Sequence, residues 1–381
     1  MKIAVLSRIF SGVGGGAERY SVSLVEQLAA RHEFHVFAQE VNHQWPGVTY
    51  HRVSSPVLKP RWVNQLWFAA VTWWATRHGY NVVHSHENTW HGNVQTVHVL
   101  PVKHNLFHER KGWRLFVRWI KVGTSPRLMT YLGLERARYA ARAGRHIVVT
   151  SESLQRIMQS SYPASRGMLS VITPGVNLPA QPITSERRRS ARKQLGLPVH
   201  KYCLLFVGND FKKKGLKSLL AALAQLPADV VLAVVGNSAQ IAVFESQITA
   251  LDLKNRVHFL GSLHDMAPAY EAADVLVHPT LEDTFAMVVL EAMAYGLPVV
   301  VSAPRYCGIS GLLTHDLNAQ MLDDPHDVPA LVRTLHKLNE SQALQQTLSA
   351  GALKFAARYT WDALAQQQDA VYSAVLACRK V

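Results

Sequence analysis

Aspartate is absent from the first 209 residues of this 381-residue chain, and Asp210 is the first. Residues 1–175 hold 21 Lys+Arg against 8 Asp+Glu, an excess of 13, whereas residues 176–381 hold 19 against 18. A first half this poor in acid predicts anionic partners: a phosphorylated acceptor, anionic lipid headgroups or nucleic acid. Cysteine is scarce too. Cys203, Cys307 and Cys378 are scattered without CxxC spacing, which argues against a disulfide scaffold or zinc ribbon and predicts a reducing compartment and a packing role. Neither HExxH nor Asp-x-Asp occurs, so two common ways of holding a catalytic metal are missing. No apolar run reaches the roughly 20 residues of a membrane span. The opening Met1–Leu6 reads as a first β-strand, not as a signal segment. The expectation is a folded, soluble, cytoplasmic chain.

The length exceeds what one hydrophobic core usually serves and predicts two domains with a cleft between them. With 48% hydrophobic and 17% charged residues, the composition is that of an ordinary globular enzyme. A strand over Lys2–Ser7, a glycine-rich turn Ser11–Gly16, a helix over Ala17–Arg31 and a strand over Phe34–Ala38 make a βαβ opening. Val82–His84, Val94–Val97 and His146–Thr150 are further strands. After the proline-punctuated stretch Pro174–Pro182 and a basic helix Glu186–Leu195, the rhythm restarts. Strands at 202–207, 230–235, 257–260, 275–278 and 299–302 alternate with helices at 216–226, 239–250, 266–272 and 284–295. This is the spacing of a doubly wound parallel sheet, which places ligands at the carboxyl ends of its strands. Trp361–Ala377 reads as a last helix.

Four places carry chemistry. Gly12, Gly14, Gly15 and Gly16 stand between the first strand and first helix, where backbone N–H groups can meet a phosphate, although a plain tight turn explains them as well. Their order is not GxGxxG, which argues against a dinucleotide site. Val207-Gly-Asn-Asp-Phe-Lys-Lys-Lys-Gly215 puts Lys213 and Lys214 at a strand-to-helix turn, where they can neutralise a diphosphate; a solvated lysine run is the bland alternative. Asp283 and Glu291 lie eight apart across a helix start, and carboxylates there can accept from sugar hydroxyls, one on a hexose and one on a ribose; an acidic first turn plus a surface Glu is the plainer reading. His84-Ser85-His86-Glu87 and His98 place imidazoles at strand ends. The aromatics Trp62, Trp67, Phe68, Trp73 and Trp74, and the basic aromatic stretch Lys103–Lys121, fit either a membrane surface or core packing.

In this order the glycine turn, HxHE, the isolated His98, Thr173-Pro-Gly-Val176, the Lys-Gly turn and the segment Asp283–Val300 (DTFAMVVLEAMAYGLPVV) resemble glycosyltransferase family 4. Its members are retaining GT-B transferases and include lipopolysaccharide-core glucosyltransferases and phosphatidylinositol mannosyltransferases. The resemblance implies an α/β GT-B fold of two Rossmann-like doubly wound domains facing a cleft. Residues 1–175 plus 361–381 would form the acceptor domain and residues 176–360 the nucleotide-sugar domain.

Carried over by position, Glu291 matches the carboxylate on the ribose, Asp283 the acid on the transferred sugar, and Lys213 and Lys214 the pair on the diphosphate. Gly15 and Gly16 match the phosphate-closing loop. Thr284, Phe285, Ala286 and Met287 match the backbone cradle of the donor, and His98 a residue near the reacting carbon. Asp283 stands where Glu is usual, Ala286 where Gly is usual, and Lys213 where Arg is common.

The implied activity is hexose transfer with retention, from a nucleotide diphosphate sugar (UDP by family frequency), with no cofactor and no metal. The implied acceptor is an anionic lipid-linked saccharide of the lipopolysaccharide core or another cell-surface glycan. Peripheral contact with the cytoplasmic face of the inner membrane is expected, and no nucleic-acid partner. A nucleotide-sugar 2-epimerase of the same fold, or a non-catalytic protein binding an anionic surface, remain the alternatives.

Overall fold

Short runs rich in Val, Ile, Leu and Phe form the strands of two parallel sheets, each buried on both faces, as parallel sheets require. The computed structural model describes residues 1–12, 15–57 and 59–378. The chain divides into one unit of residues 1–175 with the segment from Trp361 onward, and a second of Val176–Thr360.

In the first unit, β1 (Lys2–Leu6), β3 (Glu33–Ala38), β5 (Val48–Arg52), β6 (Val82–Ser85), β7 (Val94–Val97), β8 (His146–Val149) and β9 (Leu169–Val171) form a seven-stranded sheet. Its order is β5-β3-β1-β6-β7-β8-β9, and every pairing is parallel. The two-residue strands β2 (Ile9–Phe10) and β4 (Glu40–Val41) pair separately. The helix Gly16–Leu28 buries Tyr20, Leu24, Val25 and Leu28, one face at helical spacing. The last helix, Trp361–Ala377, packs against it. Tyr372 is fully buried there, and its hydroxyl meets His84 Nδ1 at 2.7 Å, which satisfies a phenol that burial would otherwise penalise.

The second unit contains β10 (Tyr202–Gly208), β11 (Val230–Gly236), β12 (Val257–Gly261), β13 (Val275–His278), β14 (Val299–Ser302) and β15 (Gln320–Leu322), in the order β12-β11-β10-β13-β14-β15. Alternation along β10 sends Cys203, Leu205 and Val207 into one apolar layer and Leu204 and Phe206 into the other.

Two doubly wound α/β units are thus present, and most expected strands fall within a residue of their observed bounds. Two expectations need correction, three edge strands were not read, and the aromatic stretches, left open, can be decided. The short strands β5, β9 and β15 were not legible, because few residues at a sheet edge carry little pattern. The helix expected from Thr284 starts at Met287, because Asp283–Ala286 form a turn. Cys203 and Cys307 pack in the core, but Cys378 is exposed beyond the last helix. Core packing does not hold for most of the aromatic stretches: Phe68 is buried, whereas Trp67, Trp73, Trp74, Trp113, Phe116 and Trp119 are exposed.

Candidate active site

In the second unit the strand order reverses between β10 and β13. Loops leaving the carboxyl ends of two such strands diverge and leave a crevice for a ligand. Those loops are Asn209–Gly215 and Pro279–Ala286, the segments that carry Lys213, Lys214 and Asp283. They are locked together. The Leu281 amide and the Thr280 hydroxyl both donate to the Lys213 carbonyl, at 2.8 and 3.2 Å. Gly215 has φ +82°, and a Cβ there would lie 1.9 Å from the Pro279 carbonyl oxygen, so only glycine permits this approach.

Lys213 Nζ donates to Glu282 Oε1 at 2.9 Å, with both side chains exposed. Lys214 Nζ donates to Asp283 Oδ2 at 2.6 Å and to the Glu282 carbonyl at 3.2 Å. His278 Nε2 is 3.2 Å from the same Asp283 oxygen. Oδ1 of Asp283 accepts from the Ala286 amide at 2.8 Å and the Phe285 amide at 3.2 Å. Burial pushes the Asp283 carboxyl up, but His278 and Lys214 outweigh it and hold the group well below the usual carboxylate range. Burial lowers His278, partly offset by Asp283.

This geometry alters two expectations. Asp283 was expected to hold the transferred sugar; here its Oδ1 is taken by the turn amides and its Oδ2 by Lys214 and His278, so it orders Lys214 and the loop. Of the expected backbone cradle, the Phe285 and Ala286 amides are turned onto Asp283. The amide of Met287, which opens the helix Met287–Ala294, belongs to the first turn, where N–H groups lack intrahelical partners. Ala286 precedes it with φ +72° and ψ +70°, a left-handed conformation costly for a residue with a Cβ. That is the physical reason a glycine suits this position. Thr284 lies within the turn. Glu291 is half-buried on the following helix and accepts from the Tyr270 hydroxyl at 2.6 Å.

In the first unit the order reverses between β1 and β6. The loop after β1 holds the glycine turn, of which Val13 and Gly14 lie outside the described residues. Gly15 caps the helix Gly16–Leu28 in an extended conformation, and a Cβ there would meet a Glu18 carboxylate oxygen at 2.6 Å. Glu18 therefore already faces this helix start, where an anion would otherwise be favoured. Beside it, Arg8 binds Glu87 through its amide and Nε, at 3.1 and 3.3 Å.

His84, His86 and His98 cluster at the ends of β6 and β7. His86 Nδ1 and His98 Nε2 are 3.0 Å apart, and the rings stack with centroids 5.3 Å apart. Tyr20 meets His98 edge-on at 4.9 Å. Arg138 is buried behind them, donating to Gln95 Oε1 at 2.8 Å and the Thr96 carbonyl at 2.7 Å. Burial, reinforced by Arg138, pushes His98 down to about 3; burial, then His98 and Arg138, takes His84 to about 3. His98 is thus a neutral hydrogen-bonding group at neutral pH. Tyr20 and Arg138 in the first unit, and Tyr270 and His278 in the second, escaped sequence reading, since each joins its own cluster only through packing. His278 alone had a local signal, an imidazole ending an apolar strand.

Residues 14–179 match the family model described as Glycosyltransferase Family 4, and residues 187–355 match that described as Glycosyl transferases group 1. The chain belongs to glycosyltransferase family 4. Among relatives of this family 4 protein, the D-inositol 3-phosphate glycosyltransferase of Corynebacterium diphtheriae is 31% identical over 238 residues, 59% of this chain and 55% of the relative. The chain spans about half the length of the first curated relatives it matches. Among solved structures, WaaG, described as a glycosyltransferase involved in lipopolysaccharide biosynthesis, superposes with TM-score 0.83 at 22% identity, covering 96% of this chain and 98% of WaaG. Anabaena HepE in complex with UDP-glucose gives 0.77 at 21% identity, covering 98% and 100%. These likenesses establish the GT-B fold for the family 4 chain.

Proposed function

We propose that this family 4 protein transfers a hexose, with retention and without a metal ion, from a UDP-sugar to an anionic lipid-linked saccharide of the lipopolysaccharide core or a similar surface glycan. The observation that carries the reading is the interlocked pair of loops at the β10/β13 reversal, which presents Lys213, Lys214 and a helix start to one ligand. The exposed Lys213–Glu282 pair contributes about 0–1 kcal/mol, so a diphosphate readily takes its place. Lys214, oriented by Asp283, and the first amides of the helix Met287–Ala294 add fixed positive charge where the leaving group's negative charge develops. Glu291, oriented by Tyr270, accepts from the ribose hydroxyls. No covalent nucleophile is invoked: the acceptor hydroxyl attacks from the face the diphosphate leaves, and neutral His98 hydrogen-bonds near the reacting carbon.

The UDP-glucose complex of HepE supports a uridine donor. The WaaG description and the phosphorylated inositol in the relative's name support an anionic acceptor of this kind. The excess of 13 cations in residues 1–175 suits such an acceptor and peripheral contact with the cytoplasmic face of the inner membrane.

The test is a thermal-shift panel of UDP, GDP, ADP and CMP, with and without EDTA, on wild type and Glu291→Ala. UDP should stabilise the wild type regardless of EDTA, and the shift should vanish in the variant. Stabilisation by no nucleotide would overturn the transferase reading, EDTA sensitivity would overturn metal independence, and turnover of a UDP-sugar with no acceptor present would identify an epimerase.

A further inference from the structure

The first unit has a second concavity, at the end of its sheet opposite the histidine cluster. Its walls come from the residues that enter strands: Val83 at the start of β6, Gly92 and Asn93 before β7, and Arg142–Arg145 before β8, closed by Trp73, Thr76 and Arg77 at the end of the helix Arg61–Thr76. Its volume is about 300 Å³, at the small end for a ligand pocket. Among the described residues three arginines and one histidine line it, and no carboxylate does.

The arginines are not equivalent. Arg145 is buried and donates to the carbonyls of Arg138 at 2.9 Å and Trp90 at 3.1 Å. Those contacts fix its guanidinium but leave its charge uncancelled. Burial, then Arg142 and Arg138, lowers it to about 10, the direction expected of crowded cations without a counterion. Arg77 lies over the Trp74 ring at 3.5 Å. Arg142 is exposed; its carbonyl accepts from the Arg145 amide at 3.2 Å, but its guanidinium has no ion pair or hydrogen bond among the described residues. His91 presents two ring nitrogens that are shielded from solvent and have no hydrogen-bond partner among the described residues. Buried polar atoms ordinarily have partners, and a donor left without one is costly.

We propose that this cavity binds a phosphorylated ligand of about monosaccharide size, with Arg77 and Arg142 on the phosphate and Arg145 as fixed background charge. Guanidinium groups match a phosphate's oxygens in geometry and charge. A dianion offsets most of the charge of the three arginines. The half-exposed Trp73 ring supplies an apolar wall for the face of a sugar. The site is separate from the turns assigned to the donor and does not rest on that assignment.

Calorimetric titration in low-salt, phosphate-free buffer tests it, with glucose 6-phosphate, inorganic phosphate and glucose as probes, on wild type, Arg142→Gln and the Arg77→Gln/Arg142→Gln double variant. The expected result is saturable binding of glucose 6-phosphate, weakened at least tenfold by the single substitution and further by the double, weaker binding of inorganic phosphate with the same dependence, and none of glucose. Because Arg142 is exposed, the single variant should keep the wild-type Tm, so its loss of binding reads the site and not the fold. Absence of saturable binding in wild type, or equal affinity in wild type and both variants, would overturn the proposal. Inorganic phosphate binding as tightly as glucose 6-phosphate would overturn its sugar component.

Discussion

At the scale of single residues, two positions in the donor loops share a left-handed backbone but hold different residues, so substitution should act in opposite directions. Ala286 holds a left-handed backbone with φ +72°. Ala286→Gly should therefore stabilise the second unit, by about 0.5–1 kcal/mol after the entropy cost of glycine is taken off, read as a raised Tm. Gly215→Ala should do the reverse, because its Cβ would fall 1.9 Å from the Pro279 carbonyl. A cost of roughly 3 kcal/mol, with loss of UDP stabilisation as the two loops part, is the expected outcome of denaturant melts. Residue types at this turn were legible in the sequence: lysines before a glycine, and acids about a helix start. Which acid faces what was not. Asp283 looks from spacing like a ligand-facing carboxylate. Only the tertiary placement of Lys214 and His278 shows its oxygens engaged.

At the scale of elements, the helix Gly112–Gly123 stands out because Val122 is its only buried residue among those described. Trp113, Phe116, Val117 and Ile120 are exposed along one stripe, Trp113 to 73%, while Arg114, Arg118 and Lys121 lie along another at helical spacing. Peripheral membrane contact, proposed above, would fall to this helix, since an apolar stripe beside a basic one suits the interface of an anionic bilayer. Replacing Trp113, Phe116 and Ile120 together by Ser should reduce binding to phosphatidylglycerol-containing vesicles at least tenfold, while leaving Tm nearly unchanged, because no core contact is lost. A large fall in Tm would show that the stripe packs against protein instead. The sequence left this segment open between membrane contact and core, since amphipathicity has the same period in both. Burial decides against core packing.

At the scale of the whole molecule, the histidine cluster couples stability to pH. His84 and His98 are pushed from the ordinary value to about 3 by burial. A depressed histidine contributes stability that is fully present above its unfolded value near 6.5 and is lost as pH falls toward the folded value. At pH 5.5 each should cost on the order of 1 kcal/mol. Melts at pH 7.5, 6.5 and 5.5 should show Tm falling, with a shallower fall in His84→Gln; a flat profile would mean these imidazoles are not buried as neutral groups. The central strands and the helices between them, their parallel α/β alternation and the family were legible from the sequence because each is written in local periodicity and in short motifs whose residues are neighbours in the chain. The tertiary structure decided what depends on distant partners. It set the reversals of strand order that bring the β10 and β13 loops together, turned the Asp283 carboxylate inward, and buried Arg138 behind three histidines. It also left a basic cavity at the amino ends of strands drawn from four separate segments. Such arrangements arise from packing across many residues of separation, and periodicity along the chain carries no record of it.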